Sequence, residues 1–176
     1  MLYVQESLGP QEELVYVGRF HWLYTVNAVM SIVWGLVASG LVVGGGVFMY
    51  RELGYLPENT GWLQAILYLH PAVRLAAFVI FAFGVFGFAH KMVIKATTEI
   101  AVTTDRVIYK RGMIARAIGE LNIDRIEGVS VLQSFCGRIF NYGRLVVRGM
   151  GIGEVLLPPI ADPLAFRQAI ERAKTA

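Results

Sequence analysis

Residues 20–50 read FHWLYTVNAVMSIVWGLVASGLVVGGGVFMY and contain no aspartate, glutamate, lysine or arginine. A helix needs about 20 apolar residues to cross the hydrocarbon core of a bilayer, so this run is long enough to span one. We place the span near residues 24–47. Aromatic residues flank it on both sides, as is typical of helices whose ends lie at the two membrane interfaces.

A second uncharged run covers residues 75–90. We place a second span near residues 72–93, which becomes long enough when Arg74 and Lys91 extend their charged heads to the two interfaces. Pro71 suits the start of this helix, because the first helical turn does not need the N–H that proline lacks. The predicted membrane-interface residues of the whole hairpin are Trp22, Tyr24, Tyr50, Trp62, Arg74 and Lys91.

The connection between the spans, residues 51–71, brings both ends of the chain to the same side of the membrane. Within it, the apolar residues 62–69 predict either a short interfacial helix or an extension of the second span. Lysine and arginine near spans favour the cytoplasmic side. The side of the termini carries Arg19, Lys91, Lys95, Arg106, Lys110 and Arg111, whereas the connection carries Arg51 and Arg74. The sequence therefore predicts a multi-pass membrane protein with both termini in the cytoplasm.

This orientation implies three segments. They are a cytoplasmic N-terminal segment (1–19), a transmembrane hairpin with a non-cytoplasmic loop (20–95) and a cytoplasmic domain (96–176). Glutamates in the N-terminal segment argue against a cleavable signal peptide. Hydrophobic residues make up 56% of the chain and charged residues 16%. Residues 1–90 have a net charge of −2 and residues 91–176 one of +5, so the second half suits an anionic surface. Cys136 is the only cysteine, which excludes an intrachain disulfide.

The pattern changes to short β-rich runs after Lys95, at intervals of about 8–12 residues, which is typical of an antiparallel meander, sandwich or small barrel. The predicted strands are residues 97–104, 106–110, 114–121, 126–132, 144–148 and 154–157, with a further short strand at 14–17. Two prolines at 158–159 are expected to end the strand series. Asp162 and Pro163 then predict the N-cap and first residue of a C-terminal helix.

Several of these runs, taken in order, resemble the bacterial pleckstrin-homology (PH) domains of small membrane proteins. They are TTDRVIY (103–109), Gly112, IDRI (123–126), VSVLQS (129–134), RIFNYG (138–143) and the closing helix. The resemblance covers roughly residues 10–174. It implies two nearly orthogonal sheets that form a half-open barrel. The expected fold is thus a membrane α-helical hairpin plus an all-β PH-like half-barrel closed by a C-terminal α-helix. PH-like folds bind lipids, peptides or proteins, so the fold does not choose a function.

No residue pattern predicts catalysis, so we expect neither an enzyme nor a cofactor or metal site. The glycines of residues 149–153 lack the spacing of a nucleotide-binding loop. The three histidines, His21, His70 and His90, lack metal-ligand spacing and suit the membrane interfaces. An alternative role for His90, as the best placed of the three, is that of a pigment or haem ligand.

Small residues in the two spans predict close helix packing, against each other or against another protein. These helix-packing residues are Gly35, Ser39, Gly40, Gly44, Gly84 and Gly87.

The sequence leaves two functional hypotheses, and neither involves nucleic acid. The first is a non-catalytic scaffold or accessory subunit whose PH-like domain docks on the cytoplasmic face of a larger membrane complex, such as a respiratory or photosynthetic one. Its partners would be membrane lipids and other integral membrane subunits. The alternative is an anionic-lipid-sensing module tethered by two helices, which predicts that Arg116, Arg125, Arg138, Arg144 and Arg148 form one exposed cluster. The residues predicted to contact lipid or partner are these five with Lys110 and Arg111.

Overall fold

A computed structural model describes residues 2–57, 59–112, 117–150 and 153–175, which divide into two compact units. The sheet unit comprises Met1–Tyr24 and Val93–Ala176, and the helical unit comprises Thr25–Met92. The N-terminal residues are therefore not the separate segment that the sequence suggested. They belong to the sheet unit because a strand within them pairs with a strand that follows the hairpin.

Two long helices dominate the middle of the chain, α2 (Trp22–Glu52) and α4 (Pro71–Thr97). Each is long and apolar enough to cross a membrane, and each extends several residues beyond its predicted span. Between them lies a separate short helix, α3 (Trp62–Tyr68), whose C-cap residue Leu69 has an extended backbone. Residues 62–69 thus do not prolong the second span, because the extended Leu69 interrupts the helical backbone.

The connection between the long helices has its own small core in the helical unit. Val47, Leu56, Ala65 and Leu69 are buried together there. The Arg51 guanidinium donates to the Thr60 carbonyl at 3.1 Å and lies over the Trp62 ring, 5.4 Å from its centroid. The connection is therefore a packed structure, in which the charged end of α2 is held against the start of α3.

Two four-stranded antiparallel sheets form the sheet unit. The first sheet has the order β1 (Leu14–Gly18), β2 (Glu99–Thr103), β3 (Arg106–Arg111) and β4 (Ala117–Asn122). The second has the order β5 (Ile126–Leu132), β6 (Tyr142–Gly149) and β7 (Gly153–Leu156), with β8 (Ile160–Ala161) also paired to β6. Because β1 and β2 are neighbours, the chain leaves the first sheet for the long helices and returns to the same sheet.

One expectation about the strands was wrong. The prolines at 158–159 do not end the strand series, because β8 follows them and pairs with Tyr142 and Gly143 of β6. A short helix, α5 (Phe135–Ile139), precedes β6 and was not predicted. The chain also begins with a short helix, α1 (Leu2–Ser7), and has a 3-10 turn at Ile123–Arg125.

One apolar core unites both sheets with the C-terminal helix α6 (Pro163–Thr175). The helix begins at Pro163, as the sequence predicts. Its residues Phe166 and Ile170 are fully buried beside Ile100 of the first sheet and Leu145 of the second. Burying four such side chains stabilises the unit by roughly 1.5–3 kcal/mol each before the cost of ordering the chain.

Candidate functional site

The two basic residues that end β3 point to different environments, because neighbouring side chains of a strand face opposite sides of the sheet. The Lys110 ammonium lies 3.7 Å from the Glu99 carboxylate and 4.7 Å from the centroid of the Tyr3 ring. Arg111 is exposed and forms no ion pair with any described residue. Of these two predicted contact residues, only Arg111 therefore lacks a carboxylate partner among the described residues.

Arg111 and Arg144 of β6 line the same groove, which has a volume of about 270 Å³. Arg144 points outward because it alternates along β6 with the buried Gly143 and Leu145. We call this cavity the basic groove; its lining also includes Phe20, Tyr24, Tyr109 and Pro159. None of the described residues that line it carries a carboxylate. The groove thus concentrates positive charge beside aromatic rings.

The basic groove lies within the sheet unit, and its lining includes one residue from each long helix. Tyr24 is in the first turn of α2, and Ile94 is in the last turn of α4; both line the groove. A second cavity of about 510 Å³ shares Arg144 and Pro159 with it and continues to Gln133. No carboxylate is found among the described residues of this second wall either. Arg144 therefore lies between the two cavities, and the second cavity continues from it toward α5.

The other predicted arginines do not join the basic groove. Arg148 forms an exposed ion pair with Glu154 at 2.7 Å. Arg144 and Arg148 share one face of β6 but are four residues, or roughly 13 Å, apart. The carbonyl of Arg125 accepts the Met150 N–H beyond the far end of β6, and Arg138 lies on α5 before its near end. Arg125, Arg138, Arg144 and Arg148 are therefore scattered along β6 and beyond its two ends, so they do not form the single exposed cluster that the lipid-sensing hypothesis predicts. Arg116 lies outside the described residues.

A second exposed feature is the α5 apolar patch, which we define as Leu132, Phe135, Ile139 and Phe140. Their exposed fractions are 55%, 79%, 62% and 46%. Phe140 contacts Trp22 edge to face, with 6.1 Å between ring centroids. Sequence patterns did not predict this patch, because five helical residues are too few to show a helical period. The apolar residues just before β6 were the available signal.

Charged residues inside the sheet unit form a cluster that the sequence did not reveal. The Arg106 guanidinium donates to both Glu12 oxygens, at 3.0 and 2.8 Å, and to Glu120 at 2.8 Å. Burial raises the pKa of the Glu12 carboxyl, but hydrogen bonds from Thr103 and the Gly9 N–H, with the charge of Arg106, bring that pKa below its ordinary value. These carboxylates are occupied in holding β3, which argues against a role as catalytic acids or bases.

The three histidines take two kinds of position. The Nδ1 atoms of His21 and His70 accept the N–H of Leu23 and Ala72, at 3.3 and 3.2 Å. Each ring thus satisfies one free N–H group at the start of a long helix, α2 or α4. His90 is exposed on α4 and stacks on Phe86. No cluster of three metal-binding side chains occurs in the described part of the chain, and the role of His90 stays a prediction.

The predicted packing residues divide into two groups. A Cβ built on Gly35 would lie 2.9 Å from the Gly84 Cα, and one on Gly84 would lie 2.7 Å from the Ser31 carbonyl oxygen. Gly87 also faces Ser31, at 3.5 Å. Gly40 and Gly44 have no described neighbour within 4 Å of such a Cβ, and Ser39 beside them is half-buried. The first group lies where α2 and α4 cross, and the second faces open space.

The predicted interface residues lie near the ends of the long helices. Trp22 is 55% exposed at the start of α2, and Trp62 is 63% exposed at the start of α3. Tyr50 packs on Tyr55 in the connection, with 5.7 Å between ring centroids. Arg74 is half-buried in the first turn of α4. The Lys91 ammonium donates to the Ser31 hydroxyl at 2.8 Å and to Asn27, so it also joins the two long helices.

The family profile of the bacterial PH domain matches residues 14–174. The chain belongs to this family. The match begins at the first residue of β1 and ends one residue before the last of α6, so it includes the long helices between β1 and β2. No curated protein gives a significant match to the sequence.

Proposed function

We propose that this bacterial PH protein is a non-catalytic, membrane-anchored module whose basic groove binds the phosphate-bearing headgroups of anionic lipids. The observation that carries this proposal is the pair Arg111 and Arg144 in one groove with no lining carboxylate. The long helices α2 and α4 anchor the chain in the bacterial inner membrane. The distribution of lysine and arginine favours the orientation in which both termini and the sheet unit lie in the cytoplasm.

The chemistry of the groove suits a phosphate. Two guanidinium groups offer planar sets of N–H donors that match phosphate oxygens better than lysine does. Tyr24 and Tyr109 add rings with an apolar body and a polar tip, which favour the zone between acyl chains and headgroups. A headgroup bound there would neutralise charge that no carboxylate among the described lining residues neutralises, which is how this groove differs from the surroundings of Arg106.

The proposal is tested on the full-length protein in detergent, by adding phosphatidylglycerol or phosphatidylcholine and following thermal unfolding. A ligand that binds only the folded state raises the melting temperature. Phosphatidylglycerol should stabilise the wild type more than phosphatidylcholine does. Arg111→Gln combined with Arg144→Gln should remove this difference. The control Arg167→Gln removes one exposed arginine from α6 and should keep it. Equal stabilisation by both lipids in the wild type would rule out the headgroup site.

A second candidate function, an accessory subunit of a larger membrane complex, is favoured by Gly40 and Gly44. No described residue lies within 4 Å of a Cβ built on either glycine, so this face of α2 is uncovered. Small residues of this kind allow another membrane helix to approach closely. The test is purification of the protein from its native membrane in mild detergent. A stoichiometric complex that is lost in Gly40→Ile with Gly44→Ile, but kept in Met49→Ile on the opposite side of α2, would establish the subunit function. A clean monomer would remove it.

A further inference from the structure

We propose that the α5 apolar patch inserts into the interfacial layer of the bilayer that α2 and α4 cross. The proposal rests on the membrane anchoring proposed above but not on headgroup binding by the basic groove. Four large apolar side chains, each 46–79% exposed, lie within the short segment 132–140. Large apolar side chains that are grouped and exposed on a folded unit mark a contact with a membrane or another molecule.

The patch is held in its exposed position by several hydrogen bonds. The Ser134 hydroxyl accepts the Gly137 N–H at 3.1 Å, and the Gln133 amide donates to the Tyr142 carbonyl at 3.2 Å. Gly137 packs so closely that a Cβ there would lie 2.7 Å from the same carbonyl. These contacts hold the backbone of α5 in a conformation that leaves the apolar side chains exposed.

Two residues in left-handed backbone conformations fix the other end of α5. Asn141 has a φ of 54° and Asp162 one of 49°. The Asn141 side-chain amide donates to the Asp162 carboxylate, and the Asp162 N–H donates to the Asn141 carbonyl at 3.1 Å. Such conformations are costly for residues other than glycine and persist where surrounding contacts hold them. The segment after α5 is thus tied to the start of α6.

The neighbouring residues favour a bilayer as the occupant. Phe140 contacts Trp22, the first residue of α2, so the patch lies beside the point where the apolar helix begins. Tryptophan at such a position is typical of a membrane interface. Arg138 is exposed on the same short helix, and its long side chain suits a headgroup phosphate above an inserted apolar surface. Together these residues have the composition of an interfacial segment, apolar in its body and basic at its edge.

Cys136 makes a direct test possible, because it is the only cysteine and is exposed on α5. The full-length protein, labelled there with a nitroxide, is reconstituted into vesicles of phosphatidylcholine alone. Power saturation then compares collisions with oxygen, which enters the bilayer, and with a water-soluble nickel chelate. The matched label is placed on α6 as Glu171→Cys in a Cys136→Ser background. We expect the oxygen-to-nickel ratio to be severalfold higher at position 136 than at position 171. Equal ratios at the two positions would overturn the proposal and leave a protein partner as the occupant.

Two variants separate this inference from headgroup binding. Phe135→Ser with Ile139→Ser removes apolar side chains that point outward, so it should leave the fold intact and lower the ratio at Cys136 toward the value at position 171. Arg111→Gln with Arg144→Gln should leave the ratio in phosphatidylcholine unchanged. A high ratio together with no preference for phosphatidylglycerol would keep the inserted patch and remove the headgroup site. A low ratio with an intact preference would do the reverse.

Discussion

The two ends of strand β3 each carry an arginine, and the two arginines have opposite surroundings. Arg106, the first residue, donates to Glu12 and Glu120 and is largely enclosed, with 23% of its side chain exposed. Arg111, the last residue, faces the basic groove, where none of the described lining residues carries a carboxylate. The same type of side chain therefore has two roles. The charge of Arg106 is neutralised inside the protein and holds the sheet together, whereas the charge of Arg111 has no carboxylate partner among the described residues and is available to a ligand.

The largest expected effect follows from removing the neutralised arginine. Arg106→Met should lower the free energy of unfolding by about 2–4 kcal/mol, because it leaves the Glu12 carboxylate enclosed without its cation. The control Arg167→Met breaks an exposed pair with Glu171 and should cost less than about 1 kcal/mol. Denaturant unfolding of the full chain in detergent measures both. Equal losses in the two variants would mean that Arg106 is no more than a surface charge.

Glycines in the helical unit allow the same comparison between an occupied and an open environment. Gly84→Ala should lower the stability of the helix pair by about 1–3 kcal/mol, because the new methyl group would lie 2.7 Å from the Ser31 carbonyl oxygen. Gly40→Ala meets no described neighbour and should be neutral or slightly stabilising, since alanine favours helices by about 1 kcal/mol over glycine. Titration with a denaturing detergent, followed by tryptophan fluorescence, ranks the two variants. A reversed order would show that α2 and α4 do not cross at Gly35 and Gly84.

A new carboxylate beside Arg111 can give this arginine an acidic partner, as Arg106 already has at the other end of β3. Leu156 lines the basic groove and is 52% exposed, so Leu156→Glu should place an acidic group near Arg111 and Arg144 without disturbing the core. The preference for phosphatidylglycerol should fall severalfold, which corresponds to about 1 kcal/mol. Leu164→Glu on α6, at a residue that is also 52% exposed, is the matched control and should keep the preference. An unchanged preference in Leu156→Glu would place headgroup binding elsewhere.

Local sequence patterns predicted the elements of the protein better than their partners. The uncharged runs predicted both long helices, β5 has the predicted bounds 126–132, and α6 begins at Pro163. Hydrophobic period and turn residues act within a few positions, so they suffice for such elements. They do not report which remote segment an element meets. The pairing of β1 with β2 across the long helices therefore could not be derived from its residues alone.

The candidate sites show the same limit more strongly. Glu12 and Arg106 are 94 positions apart, so no local pattern connects them. Lys110 and Arg111 are adjacent in the sequence, and only the alternation of β3 assigns one to Glu99 and the other to the basic groove. Arg111 and Arg144 were both among the predicted contact residues, but their meeting in one groove depends on how the two sheets pack. The sequence thus offered candidate residues by their type, but it did not indicate which of them lie together in the fold.

The smallest expected effect is the loss of stability when acid protonates Glu12, the carboxylate that binds Arg106 at the start of β3. Contacts in the folded protein hold the pKa of Glu12 below its ordinary value of 4.5, so the ionised carboxylate stabilises the fold fully above that pH. The contribution is lost as the pH falls through the lowered pKa, and unfolding free energy should therefore decrease on acidification below about 4.5. Glu12→Gln should flatten this decrease without abolishing it, because the pKa of Glu99 is lowered in the same direction. Unfolding at a series of acidic pH values measures the slope, and Glu171→Gln provides a matched loss of one exposed carboxylate. A slope that flattens equally in both variants would mean that acid acts through net charge, and that the bonds of Glu12 to Arg106 and Thr103 contribute nothing specific to the acid response.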